Sequence, residues 1–394
     1  MSKYRHTDDD ADDFDMNDDG EDLFDAWEDE MVIQKTKEVK EYFSSNPNYV
    51  YEKSLGNGAN GIAWLCSRAG GAGPQTQKFV MKRAMDEEAD AGLETEIQTL
   101  ELLTGSPHNL QMVTLADLLG SKDFPSGPTL ITEYLPNGTL GRLLERLNKR
   151  GSTVPNRLLW RVFLCLIKAC IALAHPPQWP GNDKLPPEVW PAGTDPTAHI
   201  CHSDLHIENV VFGELDGSEH DLVPILKVID FGCADRYDLK DEQQKKEYES
   251  LKIDHTNVFS MGCCKTFAGA LFEKGSSQIT NPKLDSDLAV LVARCLSDEV
   301  ATQPNLRNMA IGTATAIRVR TEAHYVGRPE ETDESIRQLL KAVMFDAETK
   351  EVKPATEEAK PETEEAKPES EEVNPASDTV MADSEQGDGL GKSK

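Results

Sequence analysis

The sequence predicts an α+β fold in two lobes: a small antiparallel-sheet lobe carrying one helix, then a larger, mainly helical lobe. Three observations lead there. Short apolar strands dominate residues 49–135, and helical periodicity dominates residues 136–345. Acid-rich segments flank both, at residues 1–30 and 346–394, and neither has enough apolar content to join a core.

Taken in order, Glu30–Phe43 has helical spacing and gives a helical lead-in over residues 31–48. Strands follow at Tyr49–Leu55, at Ile62–Ser67 after a glycine turn, and at Lys78–Lys82 after the glycine-rich loop Ala69–Pro74. Glu87–Leu103 places Leu93, Ile97, Leu100 and Leu103 on one helical face. Two more strands are predicted at Leu110–Leu119 and Thr129–Leu135. The chain then turns helical at Leu140–Lys149 and Pro155–Ala174, the proline standing near a helix start, where its missing N–H is not needed. Residues 176–198 carry seven prolines and read as an irregular insertion. Short strands at Asn209–Phe212 and Ile225–Ile229 are joined through a turn containing Asp216–Gly217. Helices resume at Thr256–Phe272 and Leu284–Leu296. Near the C-terminus a seven-residue unit repeats, with Lys353–Pro354, Lys360–Pro361, Lys367–Pro368 and Asn374–Pro375 in step; a proline in each unit excludes a helical solenoid.

The formal net charge of -29 belongs mainly to the ends. Residues 1–30 carry -12 and residues 351–394 carry -8, leaving -9 on the 320 residues between them. Blocks of like charge repel and are expected to stay unfolded, offering at most a surface for basic partners. They argue against nucleic acid as a partner, because neutralising phosphates takes basic patches. The eight cysteines include no C-x-x-C pair, so neither a disulfide framework nor a zinc spacing is predicted. Most sit in apolar runs such as Phe163–Cys170 and read as buried thiols. Residues 158–174 form the longest apolar segment, but Arg161 and Lys168 interrupt it, which suits a buried helix and not a membrane span. With no apolar stretch at the N-terminus, an intracellular protein, cytoplasmic or nuclear, is expected.

Several motifs carry chemistry. Gly56-x-Gly58-x-x-Gly61 lies between two strands; by itself it fits a hairpin turn as well as a loop laid over phosphates. A dinucleotide-binding site would need a helix directly after the glycines, and a strand follows. Lys82 ends an apolar strand, and a lysine buried there needs an ion-pair partner. Glu96, on the apolar side of the next helix, is the predicted partner; Glu94 competes, but its offset puts it on another face. His202-Ser203-Asp204-Leu205-His206-Ile207-Glu208-Asn209 places a candidate base five residues before a candidate metal ligand. Asp230-Phe231-Gly232 offers a second acid at a strand end. A carboxylate, an amide oxygen and phosphates satisfy magnesium, which wants hard oxygen donors.

In this order the motifs resemble those of a eukaryotic-type protein kinase over residues 49 to about 310, and the chain is similar to divergent kinase-like proteins of filamentous fungi. The resemblance implies a bilobal protein-kinase-like fold, ATP and Mg2+ as ligands, and transfer of the γ-phosphate to a protein Ser/Thr hydroxyl. It implies Asp204, Lys82 and His206 as catalytic residues, and Asn209 and Asp230 as metal ligands. Nucleotide contacts are implied for Gly56, Gly58, Gly61, Ala63, Lys82, Glu96, Thr132, Glu133 and Leu135, with Thr132 as gatekeeper. Val258–Gly262 and Cys295–Pro304 resemble helical regions of the large lobe.

Departures from the family pattern are also clear. Ser203 replaces an arginine, His206 replaces a lysine, and Asn257 stands where aspartate is usual. No A-P-E occurs between Gly232 and Asn257, and Gln303 occupies the position of its arginine partner. Two other readings therefore stay open: a nucleotide-binding scaffold without transfer, and a small-molecule phosphotransferase, some of which share D-L-H-x-x-x-N.

Overall fold

Apolar and polar residues alternate cleanly in only one strand of the first sheet, the third, and its second strand is buried almost throughout. In the computed structural model, β1 (Tyr49–Gly58), β2 (Gly61–Arg68), β3 (Gln77–Arg83) and β4 (Thr129–Glu133) pair antiparallel in that order. The structure describes residues 19–58, 61–68, 77–115, 118, 124, 126–182, 186–191, 195–251, 257–258, 283–297 and 299–346. The predicted loop Ala69–Pro74, nearly all of the helix Thr256–Phe272, residues 1–18 of the acidic leader and the C-terminal repeat lie outside them. Among the described residues the protein is mixed α/β, with eight α-helices and this four-stranded sheet.

Helix α1 (Asp19–Ser45) starts well before the predicted residue 30, taking in part of the acidic leader. An acid-rich helix start is favoured by the positive end of the helix dipole. Val39, Tyr42 and Phe43 pack with Tyr49, Trp64, Phe79 and Met81 from the sheet, and Trp64 Nε1 donates to Thr36 Oγ1 at 3.0 Å. The sheet's other face meets α2 (Glu87–Leu102), whose start is capped by Asp86 accepting from the Ala89 amide at 2.8 Å.

Among the described residues, the fifth strand predicted at Leu110–Leu119 does not form. Only Met112 bridges Thr132, flanked by bonds from Val113 N to Ile131 O and from Glu133 N to Gln111 O. The reason lies just upstream, where Leu110 N donates to Val228 O and draws the chain towards β7 (Leu226–Val228) and away from β4.

Helix α3 (Leu140–Lys149) is capped by Thr139, and α4 (Asn156–Ala174) is buried along almost its whole length. Proline at the start of α4 supplies no side-chain cap; instead Glu331 accepts from the amides of Asn156 and Arg157, at 2.7 and 3.0 Å. Helix α4 is the hydrophobic centre, gathering residues from α2, α3, α6 (Ser286–Cys295), α7 (Leu306–Val319) and α8 (Asp333–Leu340). Two small sheets complete this part, β6 (Val210–Phe212) with β7, and β5 (Ala198–Cys201) with β8 (Asp235–Asp238). Strands β6 and β7 are joined by a long loop, at whose turn Asp216 accepts from the amides of Ser218 and His220. β8 and α5 (Glu242–Leu251) had no counterpart in the sequence reading. No helix among the described residues is long and apolar enough to cross a membrane.

Candidate functional site

The glycine segment forms the end of the β1–β2 hairpin, where Gly58 faces Gly61. Gly61 has φ +123, and a Cβ there would lie 2.1 Å from the Arg83 carbonyl oxygen, so no other residue fits without displacing β3. Beside this hairpin lies a cavity of about 400 Å3, within the range of small-molecule sites. The glycines Gly56, Gly58 and Gly61 line it together with Ala63, Lys82, Glu96, Thr132, Glu133, Leu135 and Asp230. Every residue the resemblance assigned to nucleotide contact therefore borders one cavity.

Strand alternation explains the chemistry of its wall. Phe79 and Met81 turn into the core shared with α1, so Val80 and Lys82 face the cavity. Lys82 Nζ then lies 2.8 Å from Glu96 Oε2 and 3.3 Å from Asp230 Oδ1. Glu96, and not Glu94, is the partner, and its side chain is only 2% exposed. Burial opposes the lysine's charge, but Glu96 and Asp230 outweigh it and hold Lys82 protonated, its pKa raised. Burial is the larger influence on Glu96 and pushes its carboxyl up; Lys82 and the Phe231 amide pull it back.

At the other side of the site, His202 is fully buried, its Nε2 3.0 Å from the Ile229 carbonyl and its ring against Phe231. Burial lowers its pKa, so it is a neutral donor that ties the two acid-bearing loops together. Asn257 completes the support: its Oδ1 accepts from His202 N at 3.1 Å and its Nδ2 donates to Ile200 O at 2.7 Å. Asp204, His206 and Asn209 are not among the residues lining the cavity; Asp204 and His206 are about half exposed, His206 Nε2 standing 3.5 Å from Asp204 Oδ2. Asn209 is buried and donates to Asp204.

Backbone strain marks the same place. Ser203 and Asp230 have φ of +63 and +60, two of the three non-glycine residues with positive φ among those described. Such conformations cost on the order of 1–3 kcal/mol each and persist only where the surroundings impose them. Ser203 is held by its hydroxyl donating to Asp235 Oδ2 at 3.2 Å.

Sequence reasoning missed the apolar lining, Val80, Leu110, Leu130, Val211 and Ile229, and the basic rim residues Lys53 and Arg142. Val80 was available from alternation with Lys82; Leu110 was not, since it was assigned to a strand that does not form. Glu133 lines the cavity while its carboxylate serves the fold, accepting from Lys227 Nζ at 2.6 Å and Gln111 N at 2.9 Å. The donor set fits magnesium on chemical grounds: the Asp230 carboxylate lines the cavity beside the charged Lys82, and Asn209, whose main-chain carbonyl accepts from Ile229 N at 2.9 Å, adds an amide next to it in the fold.

No protein-family model matches this chain, and no curated protein is significantly similar to it.

Proposed function

We propose that this chain is an ATP-dependent phosphotransferase with a bilobal protein-kinase-like fold, transferring the γ-phosphate to Ser or Thr hydroxyls of a protein substrate. The observation that carries the reading is the Lys82 ammonium held between Glu96 and Asp230 at the wall of a glycine-bordered cavity. A cation fixed in that way suits nucleotide phosphates. Asp204, exposed and oriented by Asn209, accepts or orients the proton of an acceptor hydroxyl. Asp230 and Asn209 would hold Mg2+, which supplies charge neutralisation across the phosphates. His206 beside Asp204 adds positive charge when protonated. Positioning and electrostatics supply the rate in this type of reaction, and the strained, buried loop supports account for the positioning.

A second reading, a small-molecule phosphotransferase, is favoured by one feature: a histidine, His206, stands 3.5 Å from Asp204 where protein kinases carry a lysine, as in small-molecule phosphotransferases with D-L-H-x-x-x-N. Offering labelled ATP and magnesium with a peptide library in one arm and small hydroxyl compounds in the other separates the two. Peptide labelling supports the first reading, and labelling confined to small acceptors replaces it. ATP bound without transfer in either arm would leave a nucleotide-binding scaffold.

A further inference from the structure

Away from that cavity, three buried side chains from three separate segments converge. His108 follows α2, Cys165 lies in the middle of α4, and His220 sits in the β6–β7 loop; a donor atom from each lies within 4.8 Å of the other two. All three residues are buried, with 3%, 3% and 5% relative exposure. The rings of His108 and His220 meet edge to face, 5.2 Å apart.

His108 is held in one orientation. Its Nδ1 lies 2.5 Å from Glu188 Oε2, while Glu188 Oε1 accepts from Ser106 Oγ and the His108 amide, both at 2.6 Å. With Nδ1 engaged, Nε2 is left over, and it is buried without a hydrogen-bond partner. A buried imidazole nitrogen left in that state is costly, and ordinary cores avoid it. A carboxylate fixing one ring nitrogen so that the other meets a metal is the usual outer-shell arrangement of histidine ligands. Glu188 itself has φ +59, the third non-glycine residue with positive φ among those described.

We propose that His108, Cys165 and His220 bind a zinc ion that ties their three segments together, with Glu188 orienting His108. One thiolate and two imidazoles are borderline-soft donors of the kind zinc takes, whereas magnesium and calcium demand oxygen. Zinc bonds of about 2.0–2.3 Å set tetrahedral donors roughly 3.5 Å apart, so donors already within 4.8 Å close on the ion with small side-chain shifts, and a water fills the fourth position. A reactive Cys–His pair is the competing use of these groups, and burial of all three denies it a substrate.

The centre would join the loop after α2, the core helix α4, the proline-rich insertion and the β6–β7 loop. His108 O accepts from Val228 N at 2.9 Å, two residues before Asp230. The ion would therefore brace the end of β7, the strand that leads into Asp230. The inference is independent of the phosphotransferase reading.

Elemental analysis of the purified full-length chain tests it, followed by metal stripping and competition with a chromophoric chelator. About one zinc per chain is expected, lost in Cys165→Ser. Glu188→Gln keeps all three ligands and is expected to weaken zinc binding about 10- to 100-fold. Cobalt(II) loading of the wild type should give a thiolate charge-transfer band, a readout that stands even if Cys165→Ser fails to fold. The proposal is overturned by a wild type that carries no zinc, acquires none on refolding with zinc, and shows no thiolate–cobalt band. Stoichiometric zinc that survives Cys165→Ser unchanged overturns it equally.

Discussion

Asn209 Nδ2 donates twice to Asp204, to its main-chain carbonyl at 2.9 Å and to its carboxylate Oδ2 at 3.1 Å. One amide thus fixes both the backbone and the side chain of the candidate base. Its oxygen is the atom left to meet a cation. Asn209→Asp, nearly identical in shape, would set a second carboxylate against Oδ2 and push Asp204 aside. Phosphoryl transfer should fall about 10²-fold, the scale of a misplaced reacting group, without loss of magnesium affinity. A rate within twofold of wild type would disprove this coupling.

The Lys82–Glu96 pair predicts a pH-dependent stability defect. In Lys82→Met, Glu96 keeps its burial and the Asp230 charge, and both raise its carboxyl above the ordinary 4.5. The folded state then holds a proton that the unfolded state releases, so stability is present at low pH and is lost as pH rises from 4.5 upward. The melting temperature should trail wild type slightly at pH 5 and clearly at pH 8, where the uncompensated charge costs about 3 kcal/mol. Adding Glu96→Gln should close the gap. A gap independent of pH would contradict it.

Gly61 and Gly58 should respond differently to alanine. A Cβ at Gly61 meets the Arg83 carbonyl at 2.1 Å, whereas one at Gly58 meets nothing within 4 Å. Gly61→Ala should therefore destabilise by at least about 2 kcal/mol, in the range of backbone-incompatible substitutions, and Gly58→Ala by under about 1 kcal/mol. Chemical denaturation of the two variants decides it, and equal losses would refute the tight approach of β2 to β3.

Acid sensitivity should trace in part to His175. It is buried against Trp190, its Nε2 has no hydrogen-bond partner, and burial lowers its pKa to about 4. Between pH 6.5 and about 4 the unfolded chain takes up a proton that the folded chain refuses, so stability present above 6.5 is lost as pH falls. His175→Leu removes that proton. The stability lost between pH 7.5 and 5 should shrink by about 1–2 kcal/mol, whatever the packing change costs at both pH values. An unchanged loss would show that His175 titrates normally.

The sequence made legible whatever depended on local periodicity. Alternation in β3 and the apolar face of α2 were enough to choose Glu96 over Glu94, because each is a face argument over a few residues. The apolar run that became α4 was readable for the same reason. The strand predicted from Leu110 is missing at the described residues Leu110–Leu115 because a distant strand, β7, captures Leu110, and no local pattern reports that competition. His108, Cys165 and His220 escaped notice because more than fifty residues separate each from the next. Zinc spacing rules read close pairs, whereas this cluster exists only once α4 and two loops have packed. The support given by Asn257 and His202 to Asp204 was hidden likewise, although each residue stood in a motif already singled out.

Asp204, held by Asn209, is the proposed base for phosphoryl transfer. That role is tested most directly by γ-phosphoryl transfer from ATP with magnesium to a mixed peptide library, comparing wild type with Asp204→Ala after both are shown to be folded. Labelled peptide is expected from the wild type, with a loss of at least ~10²-fold in the variant, the scale of a positioned base. A wild type that binds nucleotide yet labels neither peptide nor itself would contradict it.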